Sequence, residues 1–366
     1  MLVVDDTILP MKIALVHDYL NQYGGGERML EIFCELFPDA PIYTLLYDEA
    51  ATGHVFGDRE IHTSFLQRLP LIKKYHRLIP FLMPIAIEQF DLSHFDVVVS
   101  NSASFAKGVI TKPQTHHISY CMTPTRYLWD DSHRYLAEAN YPWPFKKLIP
   151  LFLSYLRIWD IEASLRVDQF IAISKFVQKR IKKYYNREAE IIYPALDCSK
   201  YSISNTTKDY FLMVGRMVPY KKFDLAIRVF NATGDKLKIV GDGPEFKRLT
   251  KMAKPNIEFL GLISDSEMPE LYSSCRALIF PQEEDFGLVP LEAMASGRPV
   301  VAYKAGGAME TVIAGENGVF FEEQTEIDLV QALGQFEYTA WDSQHIRAHA
   351  LKFDKEIFKQ KFRELI

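Results

Sequence analysis

Cysteine is scarce in this chain and never closely paired. The four present, Cys34, Cys121, Cys198 and Cys275, are scattered through 366 residues without a Cys-x-x-Cys. That excludes a disulfide-stapled scaffold and a zinc ribbon, and reads as free thiols in a reducing compartment. Long apolar runs are missing too. Leu78–Ile87 is the longest, about half of what a bilayer-spanning helix needs. The chain starts with two acids, Asp5 and Asp6, and no basic stretch ahead of an apolar core, so it does not read as a signal peptide. Positive charge is not in excess: Lys and Arg number 42 against 47 Asp and Glu, a net charge of −5, which gives no footing for bulk nucleic-acid binding. No Asp-x-Asp follows an apolar strand and no His/Cys cluster has ligand spacing, so no metal site is expected. A soluble, cytoplasmic protein is the expectation.

What is present is ordinary globular material, 48% apolar and 24% charged. At ~150 residues per domain the length suggests two domains. Apolar runs recur at Ile13–Val16, Ile42–Leu46, Val97–Val99, Ile118–Tyr120, Phe170–Ile173, Phe211–Val214, Leu237–Val240, Ile257–Leu260, Ala277–Phe280 and Val300–Tyr303. Short runs without alternation suit strands buried on both faces. Helical patterns lie between them, as at Glu27–Leu36, Phe176–Tyr185, Asp224–Phe230 and Ser266–Ser274. The alternation predicts α/β architecture with two doubly wound, Rossmann-like domains facing across a cleft. The polar, Pro-containing stretch after Tyr193 has no apolar period and marks the boundary. The expected division is a leader or tail at 1–10, a first domain at 11–196, a linker at 197–208 and a second domain at 209–345. A helical segment at 346–366 would follow, with a return onto the first domain as one option.

The densest signal runs from Pro281 to Glu310. Pro281-Gln282-Glu283-Glu284-Asp285-Phe286-Gly287 follows an expected strand, and Leu288–Ala295 reads as a helix with Pro290 in its permitted first turn. A loop opening into a helix after a parallel strand presents unpaired backbone N–H groups, which favour a phosphate. Glu284 and Glu292 bracket that turn. Acids beside an anion site suit the hydroxyls of a sugar nucleotide; equally, Glu292 suits a first-turn acid facing the helix dipole. On spacing alone both readings stand. Arg216 and Lys221, in Gly215–Lys221 after the strand Phe211–Val214, would neutralise a diphosphate or form a solvated surface pair. Gly241-Asp242-Gly243-Pro244 after the next strand is a tight turn that lets backbone approach a ligand. With no metal motif, Arg and Lys would stabilise the leaving diphosphate, and metal independence is the expectation.

Gly-Arg-x-x-x-x-Lys, Gly-Asp-Gly-Pro, the two glutamates within EDFGLVPLEAMASGRPV, and AGGAMET together resemble the retaining glycosyltransferases of family 4 (group 1), which have the GT-B fold. The match extends more loosely over 12–205. The resemblance implies that Glu284 bonds hydroxyls of the transferred sugar, that Glu292 bonds the ribose, and that Arg216 and Lys221 hold the diphosphate. Phe286, Gly287 and Leu288 would line the sugar pocket with their amides, and the base would lie near Gly241, Gly243, Gly261 and Ile263. Glu284, Arg216 and Lys221 are the implied catalytic set.

In the first half, His17-Asp18-Tyr19 ends a strand and Gly24-Gly25-Gly26-Glu27 opens a helix, so Gly25 and Gly26 let backbone approach a charged ligand. An NAD-type fingerprint would need another spacing. The string Ser119-Tyr120-Cys121-Met122-Thr123-Pro124-Thr125-Arg126-Tyr127-Leu128-Trp129-Asp130 is similar to a mannosyltransferase-like subgroup of bacterial surface-polysaccharide biosynthesis. There His is usual where Met122 stands, and Met122 cannot transfer a proton. Asp18, Tyr19, Met122 and Arg126 are then expected on the acceptor side. Ser102, Ser104 and Lys107-Gly108 read as a ligand-facing loop. His116 and His117 read first as structural histidines. Two stretches, Phe65–Phe90 and Tyr141–Ile158, mix basic, aromatic and aliphatic residues; they suit either an anionic membrane surface, where lipid-linked acceptors reside, or core helices with basic outer faces.

The resemblance implies transfer of a hexose from a nucleoside-diphosphate sugar, with no other cofactor, to a saccharide or lipid-linked hydroxyl. Mannose from GDP-mannose is favoured and a UDP-glucose-type donor is the alternative. A non-catalytic sugar-nucleotide-binding partner is the rival that Met122 raises. Epimerase or phosphorylase chemistry is a further rival, and no motif announces the pyridoxal phosphate a phosphorylase would need. Contact with the inner face of a membrane is an open partner; the subunit count is not read.

Overall fold

The computed structural model describes residues 11–130, 132 and 149–366. The expected tail at 1–10 and the Tyr141–Leu148 part of the second basic–aromatic stretch lie outside them. The chain divides into two compact units, Met1–Ile192 and Tyr193–Ile366.

In the first unit seven parallel strands are ordered β3-β2-β1-β4-β5-β6-β7. They are β1 (Ile13–His17), β2 (Ile42–Thr44), β3 (Ile61–Thr63), β4 (Val97–Ser102), β5 (His116–Cys121), β6 (Gln169–Ala172) and β7 (Glu190–Ile191). Among the described residues its helices are α1 (Gly25–Leu36), α2 (Ile72–Tyr75), α3 (Met83–Glu88), α4 (Ile149–Leu165) and α5 (Lys175–Tyr185). Every residue of β4 is buried, as a central strand covered on both faces requires. Ala14, Val16, Met83, Ile87, Val98, Phe105, Leu156 and Trp159 share one core. Local chemistry sets the helix ends. Ser174 Oγ accepts Val177 N–H at 3.0 Å ahead of α5, and Asn186 closes it in the left-handed region at φ 53°.

The second unit has six parallel strands in the order β10-β9-β8-β11-β12-β13. They are β8 (Phe211–Val214), β9 (Leu237–Val240), β10 (Ile257–Gly261), β11 (Leu278–Phe280), β12 (Val300–Tyr303) and β13 (Gly318–Phe321). The helices are α6 (Phe223–Thr233), α7 (Phe246–Met252), α8 (Met268–Ser274), α9 (Leu288–Ala295), α10 (Ala308–Thr311), α11 (Glu326–Tyr338), α12 (Ser343–Ala350) and α13 (Lys355–Arg363). Phe211, Met213, Phe223, Ile227, Phe230, Ile279, Leu329 and Phe336 build the core between sheet and helices.

All ten apolar runs lie in or overlap strands. Three strands carry no such run: β3, β7 and β13. Each sits at or next to a sheet edge. β3 is half-buried along its length, β7 is two residues long, and β13 begins with Gly318. In both units strand order reverses at one place, between β1 and β4 and between β8 and β11, and ligands of open α/β sheets bind beyond the carboxyl ends of strands at such a reversal. All four cysteines are free and buried.

Candidate functional site

In the second unit the loops leaving β8 and β11 flank the strand-order reversal, and they carry the basic and acidic residues singled out above. Lys221 ends a 3-10 turn, Pro219–Lys221, and its Nζ lies 2.8 Å from Glu284 Oε1. The amine crosses Gly215, where φ is +149° and an added Cβ would sit 3.0 Å from Nζ, so the backbone favours glycine there and any larger residue would also press on Lys221. Burial alone would lower the Lys221 pKa. The Glu284 carboxylate and then Tyr220 outweigh it, with Glu292 adding to the same effect, and the net pKa is raised. Lys221 is therefore a fixed cation at neutral pH. Arg216 is exposed at the end of β8. Its side chain makes no hydrogen bond or ion pair among the described residues, which leaves the guanidinium fork available.

Glu284 is held from several sides. Gln282 Nε2 donates to Oε1 at 3.3 Å, so Lys221 and Gln282 share that oxygen. The Glu284 carbonyl accepts Gly307 N–H at 2.8 Å. A Cβ on Gly306 would meet that carbonyl at 2.3 Å, and one on Gly307 would meet Phe286 Cα at 2.2 Å. Paired glycines thus let the β12–α10 turn press against 284–286. Phe286 is stacked by Tyr193 (centroids 5.5 Å, 21°) and tilted against Phe353 at 5.9 Å. The Tyr193 hydroxyl is pushed up to about 12 by burial and by Glu310, to which it bonds. Gly287, at φ 88°, starts α9, whose first-turn N–H groups have no intrahelical acceptor. Leu288 is half-buried there, and Glu292 is buried one turn on. Tyr272 donates its hydroxyl to Glu292 Oε2.

The glycines of the neighbouring loops have a packing reason. A Cβ on Gly241 would meet Gly215 O at 2.1 Å, and one on Gly243 would meet Met217 O at 2.4 Å. Gly215 N–H bonds Val240 O at 3.0 Å and Gly241 N–H bonds Gly261 O at 2.7 Å, so the loops after β8, β9 and β10 are laced together. Gly261 has φ +70° with open space beyond it, and Ile263 is half-buried two residues on.

Asp18, Tyr19, Gly25, Gly26, Met122 and Arg126 belong to the first unit. Asp18 is buried, and it accepts Phe105 N–H at 2.7 Å and Ala106 N–H at 2.6 Å on Oδ1 and Ala103 N–H at 2.7 Å on Oδ2. It thereby pins the loop after β4. Gly24 N–H bonds Glu27 Oε2 at 2.8 Å, closing the start of α1. Asn101 Nδ2 donates to Gly26 O at 2.8 Å and lies 3.3 Å from His17 Nδ1. Gly25 is exposed. A Cβ on Gly26 would make only ordinary contact, 3.6 Å from His17 Cε1, so packing does not demand that glycine. Tyr19 lies against His76 at 4.9 Å and Phe105 at 6.4 Å. Met122 and Arg126 are half-buried in the turn after β5, and Met122 N–H bonds Ser102 O at 2.8 Å.

Ser102, Ser104 and Lys107, read from the sequence as a ligand-facing loop, are all buried, and their hydrogen bonds are structural. Lys107 Nζ lies 2.6 Å from Asp160 Oδ1 and donates to Ser104 O at 2.5 Å, while a Cβ on Gly108 would strike Trp159 at 2.3 Å. Asp160 also accepts from Thr125 Oγ1 at 3.0 Å, Trp129 Nε1 at 2.8 Å and Tyr185 OH at 2.8 Å. Arg180 clamps the same turn by donating to Thr123 and Asp130. Much of the Thr123–Asp130 string is thus scaffold. Asp160, Arg180, Gln282 and Tyr272 escaped the sequence reading. An acid inside the apolar segment around Trp159 was the available sign of the first.

Residues 199–349 match the family model for group 1 glycosyl transferases. An uncharacterized glycosyltransferase of Methanocaldococcus jannaschii is 30% identical over 331 residues, covering 88% of this chain and 87% of that protein. The alpha-1,3/1,6-mannosyltransferase alg2 of Schizosaccharomyces pombe is 24% identical over 361 residues, covering 84% and 70%. Among solved structures, Anabaena HepE in complex with UDP-glucose shares the fold at TM-score 0.70 and 20% identity, covering 97% of this chain and 99% of that one. A basic and acidic constellation at the strand-order reversal, two Rossmann-like units and a relative matched nearly end to end lead to one assignment: the chain belongs to the group 1 glycosyltransferases.

Proposed function

We propose that this glycosyltransferase moves mannose from GDP-mannose, with retention of configuration and without a metal ion, to a hydroxyl of a saccharide or lipid-linked saccharide. The observation that carries the proposal is the Lys221–Glu284 pair at 2.8 Å beside the start of α9. Lys221 and Arg216 supply positive charge to the departing diphosphate, together with the first-turn amides of α9. Glu284 has Oε1 shared by Lys221 and Gln282, and Oε2 takes a hydroxyl of the transferred sugar. Glu292 takes the ribose hydroxyls. The mannosyltransferase relative supports mannose as the sugar.

Bond changes follow from these roles. The C1–O bond to the diphosphate breaks, the acceptor oxygen bonds C1 on the same face, and the acceptor proton passes to the departing phosphate oxygen. Met122 takes no part in proton transfer. Asp18 acts by holding the loop after β4, while Tyr19, Gly25, Gly26, Met122 and Arg126 serve the acceptor and phosphate side. A lipid-linked acceptor would bring the protein to an anionic membrane surface, and α4 offers an outward stripe of Leu151, Tyr155, Ile158 and Leu165, all exposed.

Purified protein given GDP-mannose or UDP-glucose with a saccharide acceptor tests the reading. An α-mannoside seen by NMR is the expected product. Transfer from UDP-glucose alone overturns the donor, and a β-linked product overturns retention. Binding of donor with neither transfer nor slow hydrolysis would make the chain a non-catalytic partner.

A further inference from the structure

Glu292 is buried at 5% exposure on α9, and its Oε2 accepts the hydroxyl of Tyr272, a residue with no exposure at all on α8. We infer that Tyr272 is a positioning residue that aims the Glu292 carboxylate at the donor ribose; the inference rests on the reading of Glu292 as the ribose-binding acid. The terminal torsion of a glutamate is broad and nearly two-fold, so an unheld carboxylate would sample many directions. A hydroxyl fixed in place selects one. Tyr272 is itself fixed: its ring packs edge-on against Tyr201 at 6.0 Å and 67°. Its carbonyl accepts Cys275 Sγ at 3.2 Å, and the carbonyl of the next residue, Ser273, accepts Arg298 Nε at 2.7 Å. Arg298 also holds Thr207 Oγ1 at 2.6 Å and Ser204 O at 3.1 Å, so the end of α8 is tied down. An ionised carboxylate has about four acceptor sites. The Tyr272 hydroxyl takes one of them.

The test compares GDP with 2′,3′-dideoxy-GDP, and UDP with its dideoxy form, by calorimetric binding to wild type, Tyr272→Phe and Glu292→Gln. Wild type is expected to prefer the ribose form by at least about tenfold. In Tyr272→Phe the preference falls to within about threefold, and the Kd for the dideoxy form does not change. A Tyr272→Phe protein that keeps the full preference, while Glu292→Gln loses it, overturns the positioning role and leaves the ribose reading intact. Equal weakening toward both ligands also overturns it, because that is the mark of a merely structural tyrosine. If wild type and Glu292→Gln alike show no preference, the ribose reading itself falls and the inference with it. Tyr272→Met removes the hydroxyl with a different shape and is read the same way should Tyr272→Phe not fold.

Discussion

Arg216 and Glu284 differ in what their removal leaves behind, and that separates catalysis from stability. Arg216 is exposed, so Arg216→Ala is expected to lower kcat/KM by about 10²-fold or more with no change in Tm. Glu284→Ala is expected to lose as much turnover and some Tm as well, because it leaves the amine of Lys221, with a side chain only 12% exposed, without its carboxylate. Steady-state kinetics beside melting curves check both. His117 gives a pH prediction. It is fully buried, faces Ser100 Oγ at 2.9 Å, and burial pushes its pKa down to about 4. The unfolded chain binds a proton near 6.5 and the folded chain does not until about 4, so stability falls as pH drops through that window, by roughly 3 kcal/mol in full. Denaturant unfolding of wild type and His117→Gln at pH 7 and pH 4.5 should show a smaller acid loss in the variant. At this scale Glu284 and Lys221 were singled out because a charged residue beside a strand end is conspicuous, and the structure brings the two together, a pairing the sequence did not announce. Asp160 and Tyr272 were not singled out, since each sits inside a helix, α4 and α8, with no strand-end position to mark it, and its role comes only from a partner in another element, Lys107 and Glu292 respectively.

At the level of elements, the central strands announced themselves, as did β10 at one edge through Ile257–Leu260, while the other edge strands, β3, β7 and β13, did not. A strand covered on both faces is buried throughout, and β4 opens on the apolar run Val97–Val99 before Ser100, Asn101 and Ser102, which are buried as well, whereas β3 is half-buried at all three positions and reads Ile-His-Thr. Gly318 is invisible to propensity for a different reason: a Cβ there would meet Val300 O at 2.3 Å, so close strand approach selects it. Helix α4 breaks the usual rule in the other direction. A helix apolar on nearly all sides is ordinarily enclosed, yet Leu151 and Ile158 are 68% and 66% exposed, while Leu156 and Trp159 fill the core. Co-sedimentation with anionic vesicles is the matching measurement. The Leu151→Glu/Ile158→Glu double variant should bind roughly tenfold less and still transfer to a water-soluble acceptor at the wild-type rate. Equal sedimentation of both proteins would remove α4 from the membrane reading.

For the whole molecule, alternation of buried strands and amphipathic helices was enough to foretell two doubly wound units, because the period of each element survives in the sequence even when its partners do not. Which nucleotide is accepted does not survive that way: in the proposed reading the base would lie against the loops after β8, β9 and β10, which are joined by main-chain bonds such as Gly241 N–H to Gly261 O, and main chain carries no side-chain signature of a base. A ligand that binds only the folded chain raises Tm by mass action. GDP-mannose at 100 times its Kd should contribute about 2.7 kcal/mol, and UDP-glucose at the same concentration should contribute less; the reverse ranking would reassign the donor. The buried cysteines offer a last consequence. With Cys34, Cys198 and Cys275 each pushed up to about 12 by burial, these sulfurs resist alkylation until some part of the fold opens. Two of them lie in the second unit and one in the first, so maleimide uptake timed thiol by thiol would chart which unit loosens first under stress, with no label added to the native sequence.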